Sequence, residues 1–389
     1  MRILHTSDWH LGRSFHRVGM LEHQAAFVDH LLAVVESERV DLVVVAGDVY
    51  DRALPHVDAV RLADEAFARL AASRAQVVVT SGNHDSAQRL GFGSRLIDAA
   101  GVFLRTDASR VGTPVLLEDE HGPVAVHGLP YLDPQALYEP WGLPTRTHEA
   151  ALAEAMRRVR ADLAQRPLRS VVLAHAFVAG GVASESERDI SVGGVSIVPT
   201  SLFDGISYTA LGHLHGRAVL DDALRYSGSP LAYSFSEATH TKGMWLVDLG
   251  PLDVTATEFV EAPVPRRLAR LSGDLQSLLI DPRFAWAEDH WVQVTLTDAV
   301  RPDRPMDRLR VRFPHTLVLG FAPEGGSPDL PVAAQPRGRS DHEIALDFVD
   351  AMRGAPATDA ESALLLAACD ACGEDPDADM LMSAAPGAG

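Results

Sequence analysis

Residues 41–51 read DLVVVAGDVYD: five consecutive small apolar residues, Leu42 to Ala46, then a glycine, then Asp48 and Asp51. A short valine-rich run of this kind marks a strand buried on both faces. Carboxylates placed directly after it stand at the strand's carboxyl end, where α/β folds carry their functional groups. The same grammar appears on either side, in MRILHTSD at residues 1–8 and QVVVTSGN at residues 76–83. Amphipathic helix patterns near Met20 to Glu38 and near Val57 to Ala71 separate the three runs. The first hundred residues therefore predict a βαβαβ unit with parallel strands beneath helices.

Further strand patterns follow in VAVHGLP, SVVLAHAF, SYTALGH, LRYSGS, GMWLVDL and TATEFVEA, with a helix near Thr147 to Gln165 between the first two. That is too much strand for one layer. The predicted fold class is α/β, with two packed mixed β-sheets flanked by helices across residues 1–263. After Pro263 and Pro265 the pattern restarts with RRLARLSG, a helix at Asp274 to Leu279, WVQVTLTD, a helix around Met306 to Val311, and TLVLGF, predicting a small α/β capping domain over 264–323. A Gly- and Pro-rich linker is expected at 324–340, a helix pair at 341–373 and a disordered acidic tail at 374–389.

The net charge of −19 runs against the basic footprint of most nucleic-acid binders. From Asp341 onward, however, eleven acidic residues face one basic residue, so −10 of that charge is remote from the strand-end motifs. Bound cations would offset part of the rest. Lys242 is the only lysine, every other basic residue being arginine. This preference reads as coding bias, although guanidinium is also the better bidentate phosphate donor. Two cysteines, Cys369 and Cys372, make no disulfide framework. The opening apolar run is too short for a signal peptide's core, and no stretch approaches the roughly 20 apolar residues of a membrane span, so a cytoplasmic location is expected.

Five polar motifs stand at strand ends: SDWH with Asp8 and His10, GDVYD with Asp48 and Asp51, GNHD with Asn83 to Asp85, LAHAF with His175, and GHLH with His213 and His215. Together they offer seven candidate ligands, Asp8, His10, Asp48, Asn83, His175, His213 and His215. Mixed carboxylate, amide and imidazole donors suit Mn²⁺, Fe²⁺ or Zn²⁺, and the lack of thiolates argues against a structural zinc site. Seven ligands suit two metals roughly 3.5–4 Å apart sharing a carboxylate. Asp8 and His10, two apart, are expected to point to one side of an extended strand, as are His213 and His215. The glycines at 47, 82 and 212 are expected to let the backbone turn tightly before the ligands.

The ordered set D-x-H, G-D-x-x-D, G-N-H-D, H, G-H-x-H resembles the calcineurin-like metallophosphoesterase superfamily. HTSDWHLGRSF, SERDISVGG, ALGHLH and RYSGSPLAYSFSEATHTKG narrow the resemblance to the SbcD family of nuclease subunits. The family's usual GHLHRPQ is replaced here by GHLHGRAVL, with the ligands intact. The resemblance covers most of the chain and implies a metallophosphoesterase core, with one Mn²⁺ on Asp8, His10 and His215, a second on Asn83, His175 and His213, and Asp48 bridging. It implies attack by a metal-activated water, with His84 as the catalytic histidine oriented by Asp51. It further implies 3′–5′ double-strand exonuclease and hairpin or single-strand endonuclease activity in DNA repair. The implied partners are DNA, a second copy of the chain and an SbcC-type ATPase docked by the C-terminal helix pair.

Two rival readings are a phosphodiesterase or phosphatase for small nucleotides, which the same ligands would serve, and a non-enzymatic scaffold. The capping domain and terminal helices favour the nuclease, and the complete ligand set with His84 disfavours the scaffold. No GxxxxGK[ST] pattern occurs, so any ATP dependence has to come from another chain. His5, His16, His23, His30 and His127 are read as packing or surface residues. Arg13 and Arg17 are candidate phosphate contacts, and Trp286 and Trp291 are read as core. Cys369 and Cys372 receive no redox or zinc role.

Overall fold

The computed structural model describes residues 1–187, 197–323, 340–353 and 355–373. The expected tail, all of the expected linker except Ser340, and the SERDISVGG run beyond Glu187 lie outside the described residues. The chain divides into two compact units, Met1–Phe321 and Ala322–Gly389.

In the first unit, one six-stranded sheet runs in the order Val254–Glu261, Gly243–Leu249, Arg2–Thr6, Leu42–Ala46, Gln76–Thr80, Val102–Arg105. Its last four strands are parallel, and Gly243–Leu249 joins antiparallel to Arg2–Thr6. Alternation along each strand divides the side chains between two cores. Ile3, Leu42, Val44 and Val78 turn inward against the second sheet, while Leu4, Val43, Val45, Val77 and Val79 pack under helices. Helix Leu21–Ser37 supplies Phe27, Val28, Leu31, Val34 and Val35 at helical spacing, and Val57–Ala71 supplies Ala59, Leu62, Ala63, Ala66 and Leu70. Each large aliphatic side chain so buried contributes about 1.5–3 kcal/mol.

The second six-stranded sheet runs Ala218–Asp221, Leu224–Tyr226, Tyr208–Gly212, Arg169–His175, Gly122–Gly128, Val115–Asp119. Its outer face is covered by helix His148–Gln165, capped by the Thr147 hydroxyl accepting from Ala150 N. Pairing brings the site-bearing ends level within each sheet, with Ala46 opposite Thr80 and Gly212 opposite His175. The protein is thus α/β with two packed mixed sheets between helices.

Several elements differ from the expectation. Strand Arg169–His175 stops at the histidine, and Phe177–Val178 pairs instead with Ile197–Val198. The strands Val102–Arg105 and Val115–Asp119 and the helix Pro134–Trp141 have patterns too brief or mixed to stand out in the sequence.

A three-stranded parallel sheet, Leu268–Gly273, Trp291–Leu296 and Thr316–Phe321, follows with helices Leu275–Ile280 and Pro305–Arg312 and a core of its own. Trp291 joins that sheet to the main body, its ring 5.3 Å from Phe15 among Met20, Leu231 and Phe235. Trp286, by contrast, is exposed.

The second unit contains helices Asp341–Arg353 and Asp359–Gly373. Arg353 forks onto Glu361 at 2.8 and 3.1 Å, and His342 Nε2 meets Ser362 O at 3.0 Å. Among the described residues no helix is long and apolar enough to cross a membrane.

Candidate metal centre

Asp8 and His10 leave strand Arg2–Thr6, Asp48 leaves Leu42–Ala46, Asn83 and His84 leave Gln76–Thr80, His175 ends its own strand, and His213 and His215 leave Tyr208–Gly212. These loops converge. Three groups of donor atoms each lie within 4.8 Å of one another: Asp8, His10 and His215; His10, Asp48 and His84; Asp8, Asp48 and His175. All these residues are buried.

The local backbone corrects the expectation of extended strands. Asp8, His10, Asp48 and His213 adopt φ of 53°, 47°, 49° and 101°, in the left-handed region that side chains with a Cβ rarely enter. Such strain persists only where surrounding bonds over-determine it. Here Asp8 N donates to Gly47 O at 3.1 Å, His10 N to Asp48 O at 2.9 Å, and His213 N to the Asp8 carboxylate at 3.0 and 3.2 Å. Only Gly47 of the three glycines has a positive φ, +86°. Gly82 and Gly212 instead permit close approach, since a Cβ on Gly212 would overlap the carbonyl of Ala46 and one on Gly82 the carboxylate of Asp48.

Asp48 is central. Its Oδ2 lies 3.7 Å from His10 Nε2 and 3.4 Å from His175 Nε2, while Oδ1 accepts from His84 N at 2.8 Å. On the other side, His10 Nε2 and His215 Nε2 stand 3.0 Å apart. Two nitrogens about 2.1 Å from one cation and at right angles to each other would have this separation. His175 Nδ1 donates to the carbonyl of Ala46 at 2.9 Å, and its Nε2 faces Asn83 Oδ1 at 2.9 Å. Without a cation, that second nitrogen also needs a proton to meet an oxygen acceptor. Burial opposes charge there, yet Asp48 and Asp8 raise the His175 pKa to about 9. The donor set therefore fits positive charge between Asp48, Asn83 and His175.

Other shifts follow the same balance. Burial, aided by Asp48, carries Asp8 up to about 6 despite His175 and His215. Asp48 is also pushed up by burial, but the surrounding histidines, His175 first, hold it well below the carboxylate range. Burial and then His175 lower His213 to about 3. The His213 ring reaches the site through His175, at 5.3 Å between centroids, and lies outside the three clusters.

His84 and Asp51 meet differently from the expected side-chain pair. His84 Nδ1 contacts the main-chain carbonyl of Asp51 at 2.8 Å. The Asp51 carboxylate lies 3.7 Å from Arg13 Nε, 3.5 Å from Arg52 Nε and 3.9 Å from His10 Nδ1. Since a carbonyl only accepts, His84 Nδ1 carries hydrogen and Nε2 is the nitrogen for chemistry. His84 borders a groove of about 440 Å³ that also has Arg13, Asp51, Arg52 and His56 on its walls.

Several supporting residues escaped the sequence reading. The Asp85 carboxylate accepts from Val49 N, Tyr50 N and Gly82 N at 3.1, 2.8 and 3.0 Å, stapling two ligand loops together. Burial first, then Asp48, raises its pKa to about 7. Gln24 Nε2 donates to His10 O at 2.8 Å and to Tyr233 Oη at 3.0 Å. Arg13 covers the Tyr233 ring and donates to Ser186 O at 2.8 Å. Of the histidines set aside, His5 is buried against Tyr208 Oη at 2.8 Å and His127 lies 3.4 Å from Asp162. Asp85 carried a signal as the last residue of GNHD, Arg13 as a candidate phosphate contact, and Tyr233 as part of RYSGSPLAYSFSEATHTKG, but none of them was read as a support of the ligands.

Residues 1–217 match the family described as calcineurin-like phosphoesterase. Among solved structures, a dimetal phosphatase from Danio rerio is similar at 14% identity, with 68% of this chain and 99% of that chain covered and a TM-score of 0.41. The calcineurin-like phosphoesterase YfkN from Bacillus subtilis is similar at 13% identity, with 67% and 90% covered and a TM-score of 0.34.

Proposed function

The chain belongs to the calcineurin-like phosphoesterase family, and from that premise we propose that it is a two-metal DNA nuclease, the catalytic subunit of a complex that processes DNA ends and hairpins. One Mn²⁺ is assigned to Asp8, His10 and His215, a second to Asn83, His175 and His213, and Asp48 lies between them. When bound, the cations supply an activated water and neutralise charge on the phosphoryl oxygens. His84, held through Nδ1 by the Asp51 carbonyl, offers Nε2, which in the doubly protonated ring carries the proton that stabilises or is passed to the leaving oxygen. Arg13 and Arg52 in the groove place positive charge where a phosphodiester backbone enters.

The observation that carries the nuclease reading is the anchoring of the three-stranded sheet by Trp291 against Phe15, five residues after His10. On this reading the anchored sheet gives a polymeric substrate a surface to lie along that a mononucleotide does not need. We assign a second copy of the chain to the side that carries the exposed Leu54, Val57, Phe92 and Leu96; Arg89 ties two of these segments together by donating to Ala53 O at 3.0 Å. The SbcC-type ATPase is assigned to the C-terminal helices, whose Phe348 and Leu364 are exposed.

A direct comparison of hairpin DNA cleavage with cyclic-nucleotide hydrolysis, both in Mn²⁺, tests the substrate class. Efficient DNA cleavage with weak cyclic-nucleotide turnover supports the nuclease. The reverse preference overturns it in favour of a small-nucleotide phosphodiesterase.

A further inference from the structure

Lys242, the only lysine among the chain's 34 basic residues, lies buried in the interior. Its ammonium donates to Ser229 Oγ at 2.9 Å, to the main-chain carbonyl of His215 at 2.8 Å, and to Glu237 Oε2. Three acceptors around one centre match the three donors of an ammonium, whereas a planar guanidinium directs its donors in a fixed fork. Glu237 is 1% exposed, and its other oxygen, Oε1, accepts from the Ser186 hydroxyl. Ser186 Oγ in turn lies 2.6 Å from His215 Nδ1.

The direction of this chain of bonds is forced. An ion-paired carboxylate can only accept, so Ser186 gives Glu237 its single hydrogen. Ser186 Oγ must then accept from His215 Nδ1, which leaves the lone pair of His215 on Nε2, facing His10 at 3.0 Å. The main chain of His215 is held as well, its N donating to Oε1 of Glu187, the residue after Ser186, at 2.7 Å.

We propose that Ser186 and Glu237, braced by Lys242, are positioning residues that fix the tautomer and orientation of His215 for the cation it shares with Asp8 and His10. The inference rests on the two-metal reading above and adds Ser186, 29 positions before His215 in sequence, and Glu237 and Lys242, 22 and 27 positions after it. Outer partners of this type typically account for about 10–100-fold in metal affinity.

The test uses the full chain, titrated with Mn²⁺ by calorimetry and followed by electron paramagnetic resonance. Ser186→Ala removes one hydroxyl and no charge. The paired change Glu237→Gln with Lys242→Met removes both buried charges together, so that neither is left uncompensated. In each variant one of the two binding steps is expected to weaken about 10–100-fold, while the other step and the thermal midpoint stay near wild type. At limiting Mn²⁺ the coupled-pair spectrum gives way to that of isolated ions. Wild-type affinity at both steps, or equal weakening of both, overturns the positioning role. Failure of the wild-type chain to bind a second cation overturns the two-metal reading itself, a different outcome from loss confined to the variants.

Discussion

The Nε2 atoms of His10 and His215 face each other at 3.0 Å although 205 positions separate them in sequence. They come from different sheets, and packing of the two sheets through Ile3, Val44, Val78, Leu173 and Ala210 is what brings them together. Fold stability and ligand geometry are therefore coupled at this pair.

Asp48 contacts residues from both sides of the cluster, and Asp48→Ala is expected to deplete both cations. Elemental analysis of the purified variant after dialysis checks this. Two tightly held metals in the variant would remove Asp48 from the bridging position.

His84→Gln is expected to keep two cations and lose about 10²–10⁴ in DNA cleavage rate, the usual contribution of an acid–base group. Because His84 lies within 4.8 Å of His10 and Asp48 donors, the metal count decides its role. Loss of a cation would make it a ligand.

Much of this site was legible because its chemistry is written at strand ends. The Val43 to Val45 run and its equivalents located the loops, and the loops carried the polar motifs. What local patterns could not convey was backbone conformation: Asp8 and His10, two apart, follow a strand that has already ended at Thr6, so their orientation comes from left-handed φ values and long-range bonds. Nor could spacing show that Asp51 meets His84 through its carbonyl. The network around His215 was least visible, since Ser186, Glu237 and Lys242 join only in the folded chain. Its traces were the lone lysine, for which composition offered coding bias, and the runs SERDISVGG and RYSGSPLAYSFSEATHTKG, which contain all three residues but do not say which side chains meet.

Asp119 should govern acid sensitivity at the edge of the second sheet. Arg169 forks onto its carboxylate and also donates to Gly250 O at 3.0 Å, and this pairing holds the Asp119 carboxyl well below the usual range despite burial. A depressed folded pKa gives stability that is present above the unfolded value of about 3.9 and is lost as pH falls through the folded value. Asp119→Asn is expected to cost about 1.5–3 kcal/mol at pH 7, the range for a hydrogen bond to a charged group. Urea unfolding should show the gap from wild type closing in strong acid. A gap independent of pH would contradict the assignment.

Truncation after Pro336 removes the helix pair and leaves the whole of unit Met1–Phe321, with its own cores. The shortened chain is expected to cut simple DNA substrates in Mn²⁺ and to lose binding to the ATPase. Co-purification with the ATPase at the full-length level would place the docking element elsewhere.

The central claim, that five strand-end motifs build one two-cation centre, is tested most directly by anomalous scattering from crystals grown with Mn²⁺. The account predicts two peaks about 3.5–4 Å apart, one beside Asp8, His10 and His215, the other beside Asn83, His175 and His213, with Asp48 contacting both. A single peak, or two peaks that Asp48 does not join, would contradict it.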